Sequence, residues 1–583
     1  MTTTRQVTTS SPRSPSRPAT SIKARMTVVP RAVRYAWGQI RRRVWVPVTI
    51  ADPPSDALVE WNIAVPMRDG VLLRINVFRP DDADRHPVLL CMHPYGKDAL
   101  PRRRRFRAGY TPSIQYHLMQ TGPVTHSAWT GWEAPDPAYW VRRGYVVINA
   151  DLRGWGKSDG VAEIFAEQEG LDGHDLIEWA AVQPWGNGRV GMSGVSYLAM
   201  TQWAAAATRP THLAAICPWE GLTDLYRDCG RPGGVRENGF LVMFASGLRV
   251  AAHHRVDVLT QSRRRPEFDE WWAAKNRSIE NIEVPALVCG SFSDHNLHTR
   301  GSFEGFRRIG SQQKWLYTHR GPKWGTYYSE EGLRVQSEFF DHFLRGEDTA
   351  ILDTPPVRIE VRDDADTVTA VRHTASWPPP DTNWRALYLD AHDGTLQPEP
   401  TRIAGERSFD IRRGHVSFTY RFETDTEIVG PMLLTVPISV TGTDDISLFA
   451  GVRKFRGGRE IGFQGSYGFP FDLVTHGMLV ASHRRVDPDR SLPYQPFHPF
   501  TEPEPLNPGR PVELQIELLP SATLFRAGDE LRLDLQGRWF FSRNPLVGQF
   551  PPAYAPTART GSCTVHTGGA HHAILTVPIA APD

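Results

Sequence analysis

Between residues 86 and 206 short apolar runs alternate with helical stretches, and that alternation limits the folds open to the chain more than any other feature. HPVLLCMHPYG is an apolar run that ends in a Pro-Gly loop. YVVINADLRGWGKSDG is a second run, broken at Arg153-Gly154. RVGMSGVSYLAM passes from a short strand through a tight turn into an Ala-rich helix. DGHDLIEWAAVQ, lying between them, places Leu176, Ile177, Ala180 and Ala181 on one helical face. LAAICPWEG, ALVCGSFSD and KWLYTH add further short strands. Strands this apolar are covered on both faces, and the helices between them are long enough to serve as crossovers. The predicted class is therefore α/β, with a mostly parallel sheet. In such a sheet ligands bind at the carboxyl ends of the strands, where this sequence carries its unusual polar residues. Upstream, VEWNIAVPM and VLLRINVFRP flank Asp69-Gly70, the signal of a β-hairpin.

One core cannot absorb the whole chain. At about 150 residues per domain, 583 residues make two to four units. Beyond residue 350 the pattern is purely β: PVRIEVRD, RALYLD, HVSFTYRFE, MLLTVPISV, VELQIELLP and DELRLDLQG lie between Gly, Pro and Asp turns, which reads as a sandwich. The net charge of +2 conceals an asymmetry. Residues 1–45 hold ten Lys or Arg and no Asp or Glu, which leaves the remainder at −8. An acidic body excludes nucleic acid as the expected partner. The first 22 residues are rich in Thr, Ser, Pro and Arg and are expected to be disordered. Val29, Val33, Ala36, Ile40 and Val44 then recur at helical spacing opposite Arg31, Arg34, Arg41 and Arg42, which predicts a short basic amphipathic helix. Its apolar face is expected to dock on the body or on a second subunit in a homo-oligomer. No run approaches about 18 apolar residues, so no integral membrane segment is expected, and no secretory leader is apparent. Five cysteines, of which Cys91, Cys217 and Cys289 lie in apolar runs, read as buried thiols in a cytoplasmic protein.

The residue of greatest chemical interest is Ser196, in Gly194-Val195-Ser196-Tyr197-Leu198-Ala199. A serine hydroxyl becomes a nucleophile only when a base takes its proton. Hydrolases of this class hold it on a strained strand-to-helix turn with small residues nearby, which Gly191, Ser193, Gly194 and Ala199 supply here. Leu198 breaks the literal G-x-S-x-G pattern. The alternative readings are a helix N-cap for Ser196, or Ser193 as the nucleophile.

The run DGHDLIEWAAVQPWGNGRVGMSGVSYLAMTQWAAA resembles the cocaine esterase / X-prolyl dipeptidyl peptidase class of serine hydrolases. The likeness extends in order through MRDGVLLRINVFRP, HPYGK, YWVRRGYVVINADLRGWGKSDG, DLYRDCGRPGG and FFDHFLRG, and covers roughly residues 58–580. The family pattern is G-x-S-Y-x-G, from which Ala199 is a mild departure. The resemblance implies an α/β-hydrolase domain over residues 46–221 and 283–349, a helical cap at 222–282 and a C-terminal jelly roll over 350–583.

A triad in this fold runs Ser, Asp, His along the chain. Asp294 ends the strand-like CGSFSD, where family members carry their acid. Between Asp294 and the helix near residue 333 the histidines are His295, His298 and His319. The first two lie too close to Asp294 to come easily from a separate loop, so His319 is the expected base. Many relatives place this histidine just after a Gly-Pro-Trp turn, whereas here Gly321-Pro322 follows His319. The Tyr197 N–H is the expected first oxyanion donor, and the resemblance implies the Tyr95 hydroxyl as the second. Asp151 and Arg153 are read as turn residues and Lys97 as a solvated lysine. The segment 98–138, with Arg102 to Arg105 and Tyr110, Tyr116, Trp129, Trp132 and Tyr139, is expected to help wall the pocket.

The expected function is a cofactor-free serine hydrolase that cleaves a small carboxylic ester or amide through an acyl-enzyme. An uncharged, aromatic or cyclic acyl group is preferred. His295, Asn296 and Leu297 after Asp294 argue against amino-acid esters, and the short N-terminal part argues against an X-prolyl peptidase. An amide-selective acylase or peptidase of the same family is the alternative, and an inactive binding scaffold the remote one. His253-His254 and His571-His572 form no zinc motif, so no metal is expected. A carbohydrate-binding jelly roll is the rival reading for the C-terminal domain alone.

Overall fold

The computed structural model describes residues 36–38, 40, 41, 46–119, 122–248, 251–253, 257–542, 544, 549 and 551–581. The disordered stretch expected at 1–22 and most of the helix expected at 28–45 lie outside these residues. Within that helix, residues 36–38, 40 and 41 are helical, and Trp37 and Ile40 face solvent.

Eight strands build the first sheet: β1 (Ala57–Pro66), β2 (Leu72–Pro80), β3 (His86–His93), β4 (Val146–Asp151), β5 (Gly186–Val195), β6 (Leu213–Trp219), β7 (Ala286–Ser291) and β8 (Lys314–His319). Their order is β1-β2-β4-β3-β5-β6-β7-β8. The first two pairings are antiparallel and the rest parallel. The hairpin joining β1 to β2 turns at Gly70, whose φ of 83° suits glycine. β4 and β7 are buried along their full length, which explains why both read as continuous apolar runs rather than alternating ones.

Helix α1 (Glu167–Ala181) packs against α2 (Tyr197–Ala206), and both cover the sheet. Every residue of α2 is buried, as a helix that is apolar all round must be. Between β6 and β7 the chain leaves the sheet for the helical segment 222–282, which includes α3 (Phe240–Leu248) and α4 (Val258–Arg264). Past β8, strand β9 (Val357–Arg362) pairs in parallel with β8 at Leu316 and Val357. The sheet therefore continues into the C-terminal β-sandwich, dominated by the antiparallel pairing of Thr426–Thr441 with Val512–Phe525. A second set of strands, Val416–Arg421, Glu530–Gln536, Ser447–Arg456 and Thr475–Val480, pairs in that order. All five cysteines are buried and free. Among the described residues no helix is long and apolar enough to cross a membrane.

Candidate active site

Ser196 sits at the junction of β5 and α2 with φ 61° and ψ −115°. A non-glycine residue held in that region stores on the order of 1–3 kcal/mol of strain, which the surrounding structure must impose. Two glycines make the imposition feasible. A Cβ on Gly194 would lie 2.5 Å from the Leu198 Cβ, and one on Gly221 would lie 2.9 Å from the Ala199 Cβ. Gly221 thus leaves the room that Ala199, in place of glycine, takes up. Ser196 makes no side-chain cap hydrogen bond, so the N-cap reading fails. Ser193 bonds instead to the Tyr327 hydroxyl at 2.9 Å, inside the core.

The imidazole on Ser196 is that of His298, and here the geometry departs from the sequence reading. Ser196 Oγ lies 3.1 Å from His298 Nε2, and His298 Nδ1 lies 2.5 Å from Asp294 Oδ2. His319, the base expected from sequence, is elsewhere. Its Nδ1 accepts the Gly321 N–H at 3.2 Å and its Nε2 lies 3.0 Å from Glu220 Oε1. Proximity to Asp294, the ground for setting His298 aside, is what makes its geometry work. The Asp294 carbonyl accepts the N–H groups of Leu297, His298 and Thr299. One tight turn, leading into helix α5 (Thr299–Arg308), folds the ring back onto the carboxylate. The i,i+4 spacing of Asp294 and His298 was the available signal.

Four further groups in the site were not singled out from sequence. Ser466, from a loop of the β-sandwich, donates to Asp294 Oδ1 at 2.8 Å. Lys323 Nζ lies 2.5 Å from Asp294 Oδ2, 2.8 Å from His298 Nδ1 and 3.8 Å from Glu220 Oε2. Burial opposes the negative charge of Asp294, but Lys323 and His298 outweigh it and hold its carboxyl well below the usual range. Burial, reinforced by Lys323 and opposed by Asp294, pushes the His298 imidazole below its ordinary value. Glu133 accepts the Trp324 indole N–H at 3.2 Å, and burial pushes its carboxyl up to about 8. The fourth group, Tyr467, has φ 56°. It stands in a chain of rings from Phe244 through Phe240 to Tyr467 and on to Trp324, with successive centroids 5.4, 6.4 and 6.3 Å apart.

Tyr95 follows β3 and lies beside Ser196 and Glu133; burial and the neighbouring Glu133 make its hydroxyl far harder to ionise than a free phenol. Tyr197 opens α2, so its N–H has no intrahelical acceptor. Its own hydroxyl is tied to Glu169 Oε1 at 2.6 Å. A narrow cleft is bounded by Asp294, Lys323, Trp324, Ser466 and Tyr467. A second, larger pocket, lined by Arg227, His295, Arg300, His476 and Tyr554, includes neither Ser196 nor His298. Among the described residues two donor groups, Glu220 with Asp294 and His298, and Glu220 with Cys289 and His319, are compact enough for a metal ion. The first already holds a cation, the Lys323 ammonium.

Comparison with known proteins places the chain in a family. Residues 69–256 match the X-Pro dipeptidyl-peptidase (S15 family), and residues 349–576 match the X-Pro dipeptidyl-peptidase C-terminal non-catalytic domain. The crystal structure of a CocE/NonD family hydrolase from Staphylococcus aureus aligns at a TM-score of 0.85 and 35% identity, over 90% of this chain and 94% of that one. The chain belongs to the CocE/NonD family of hydrolases. Cocaine esterase from Rhodococcus sp. is 28% identical over 89% of this chain and 98% of its own. A putative serine esterase from Mycobacterium bovis is 25% identical over 86% of this chain and 93% of its own. This CocE/NonD protein is accordingly a serine hydrolase with an α/β-hydrolase domain and a C-terminal jelly roll.

The CocE/NonD site differs from the sequence reading at two more positions. Where many relatives carry Gly-Pro-Trp before the histidine, this chain has Gly321-Pro322-Lys323-Trp324, and it is the lysine that enters the site. Lys97, read as solvated, is fully buried and pairs with Asp98 Oδ2 at 3.1 Å and Asp151 Oδ2 at 3.6 Å. Asp151 accepts the N–H groups of Lys97 and Lys157, and Arg153 joins Asp69 to Asp172, as expected of residues that hold a turn. From segment 98–138, Trp132 packs on Trp324 at 4.8 Å, while residues 102–105 are exposed.

Proposed function

We propose that this hydrolase cleaves a small carboxylic ester by acyl transfer to Ser196, with His298 as base, Asp294 as the group that orients it, and the Tyr95 hydroxyl and Tyr197 N–H as oxyanion donors. The contact between Ser196 Oγ and His298 Nε2 carries the reading. His298 takes the serine proton as Oγ attacks the carbonyl, then delivers it to the leaving oxygen. Water, activated by the same imidazole, releases the acid. Glu133, raised to about 8, is mostly protonated at neutral pH. It can therefore steady the Tyr95 hydroxyl without setting a full negative charge beside the oxyanion. The rings of Phe240, Phe244, Tyr467 and Trp324 favour a flat, apolar acyl group. An amide substrate calls on the same groups, with a leaving group that needs earlier protonation.

The direct test is to label the protein with a fluorophosphonate and map the adduct, screening acyl-varied esters and anilides beside it. A single adduct on Ser196 is expected, and an adduct elsewhere overturns the assignment. Tyr95→Phe is expected to lower kcat by about 10²–10³-fold with little change in KM, the cost of one oxyanion donor. Because burial and Lys323 depress the imidazole of His298, kcat/KM is expected to fall as pH drops through a value below 6.5. Above that pH the base is neutral and the rate holds, so a pH–rate profile checks both sign and position.

A further inference from the structure

We infer that Lys323 is a positioning residue of this hydrolase: its ammonium, wedged between the Asp294 carboxylate and His298 Nδ1, holds that carboxylate in place and sets the pH at which the ring can act as a base. The inference rests on the reading of His298 as that base. His298 Nδ1 has two close neighbours of opposite character. Asp294 Oδ2, at 2.5 Å, can only accept, and the Lys323 ammonium, at 2.8 Å, can only donate. Two arrangements follow. With its proton on Nδ1, the ring donates to Asp294 and leaves Nε2 bare towards Ser196, which is the competent form. With its proton on Nε2, Nδ1 accepts from Lys323 and the Nε2–H points at Ser196 Oγ, so that nitrogen cannot take the serine proton.

The lysine is kept from the second arrangement by its other partners. Its Nζ is 2.5 Å from Asp294 Oδ2 and 3.8 Å from Glu220 Oε2. Lys323 is nearly buried, yet the two carboxyl groups hold it protonated. Asp294 does not swing away, because Ser466 pins its other oxygen at 2.8 Å. When His298 accepts the serine proton, an imidazolium and an ammonium stand together between Asp294 and Glu220. Repulsion between the two cations makes the ring less basic than in a triad without the lysine, and Glu220 limits that loss. The other groups facing this cluster are His319, paired with Glu220 from the end of β8, and Glu133 and Tyr95 on the Ser196 side. Neither His319 nor Tyr95 touches Nδ1 among the contacts of the described residues. The nearest cation to that nitrogen is Lys323.

The test is the pH dependence of kcat/KM for 4-nitrophenyl acetate with wild type, Lys323→Met, Lys323→Gln and Lys323→Arg, with fluorophosphonate labelling of Ser196 as a check on folding. The two neutral variants are expected to move the acid limb upward by about 1–3 pH units, the range for loss of an adjacent charge, while Lys323→Arg keeps the limb near its wild-type position. A limb that stays in place in a labelled neutral variant overturns the inference, since a merely structural lysine would lower the rate without moving the limb. If neither neutral variant folds, the wild-type limb decides, and a midpoint at or above 6.5 overturns it. Failure of the underlying reading has a different signature: a His298→Ala protein that retains full turnover.

Discussion

Replacing Ser196 with alanine is expected to lower turnover by about 10⁴–10⁶-fold and to abolish fluorophosphonate labelling, while the fold survives. The size of the loss follows from what the hydroxyl does. In the proposed mechanism its oxygen bonds to the acyl carbon, and among the described residues no second hydroxyl shares the contact with His298 Nε2 at 3.1 Å. Ser193 is locked to Tyr327 within the core. The fold survives because the hydroxyl caps no helix. The strain at φ 61° is imposed by the backbone around it, through the close packing at Gly194 and Gly221, and alanine keeps that backbone. The stability change is expected to stay within about 1 kcal/mol, the worth of one hydrogen bond. Intact-mass analysis after labelling reads the first effect and thermal unfolding the second. Persistent labelling at wild-type rate would remove Ser196 from the mechanism. A residual rate above water is expected, because in the proposed mechanism Tyr95 and the Tyr197 N–H still bind the developing oxyanion.

The parts of this site that could be read from the sequence are those written in short stretches of chain. The hairpin at Asp69-Gly70, the apolar runs of β3 to β8 and the small residues around Ser196 each depend on neighbours within a few positions, where backbone propensity and burial leave a periodic mark. Asp294 was legible for the same reason, as the polar end of a buried strand. Lys323, Glu133, Ser466 and Tyr467 left no such mark. They enter the site from three separate stretches of chain, Ser466 and Tyr467 from the same turn, and their roles depend on distances that only the folded sheet and sandwich define. Lys97 shows the same limit in reverse. A lysine in a polar loop reads as solvated until Asp98 and Asp151 close around it. The family likeness also pointed to Tyr95 and to a cap. The nearness of His295 and His298 to Asp294 directed the base towards the later loop, where many relatives carry it after a Gly-Pro-Trp turn. In this chain that turn carries lysine, and the imidazole comes from the turn that also supplies the acid.

That exchange makes the paired variants His298→Ala and His319→Ala the sharpest discriminator. The first is expected to lose about 10⁴-fold or more in kcat, as removal of a triad imidazole does, and to remain folded, with Asp294 still bound by Lys323 and Ser466. The second is expected to keep kcat within about tenfold and to lose stability instead. His319 is buried, its Nε2 lies 3.0 Å from a buried Glu220 carboxyl, and its Nδ1 accepts the Gly321 N–H. Removing the ring leaves that carboxyl without its nearest partner, at a cost on the order of 1–3 kcal/mol. Some effect on rate is expected even so, because Glu220 also stands 3.8 Å from Lys323 and freeing it alters the charge around the base. The two variants therefore separate chemistry from support, one through kcat with an unchanged melting temperature and the other through the melting temperature with a modest change in kcat. The opposite pattern, a dead His319→Ala and an active His298→Ala, would require the catalytic loop to rearrange by more than a rotamer change. The Glu220 pairing, the Gly321 bond and the turn at Asp294 would all have to break together, and the three contacts make that rearrangement costly in a core packed this tightly.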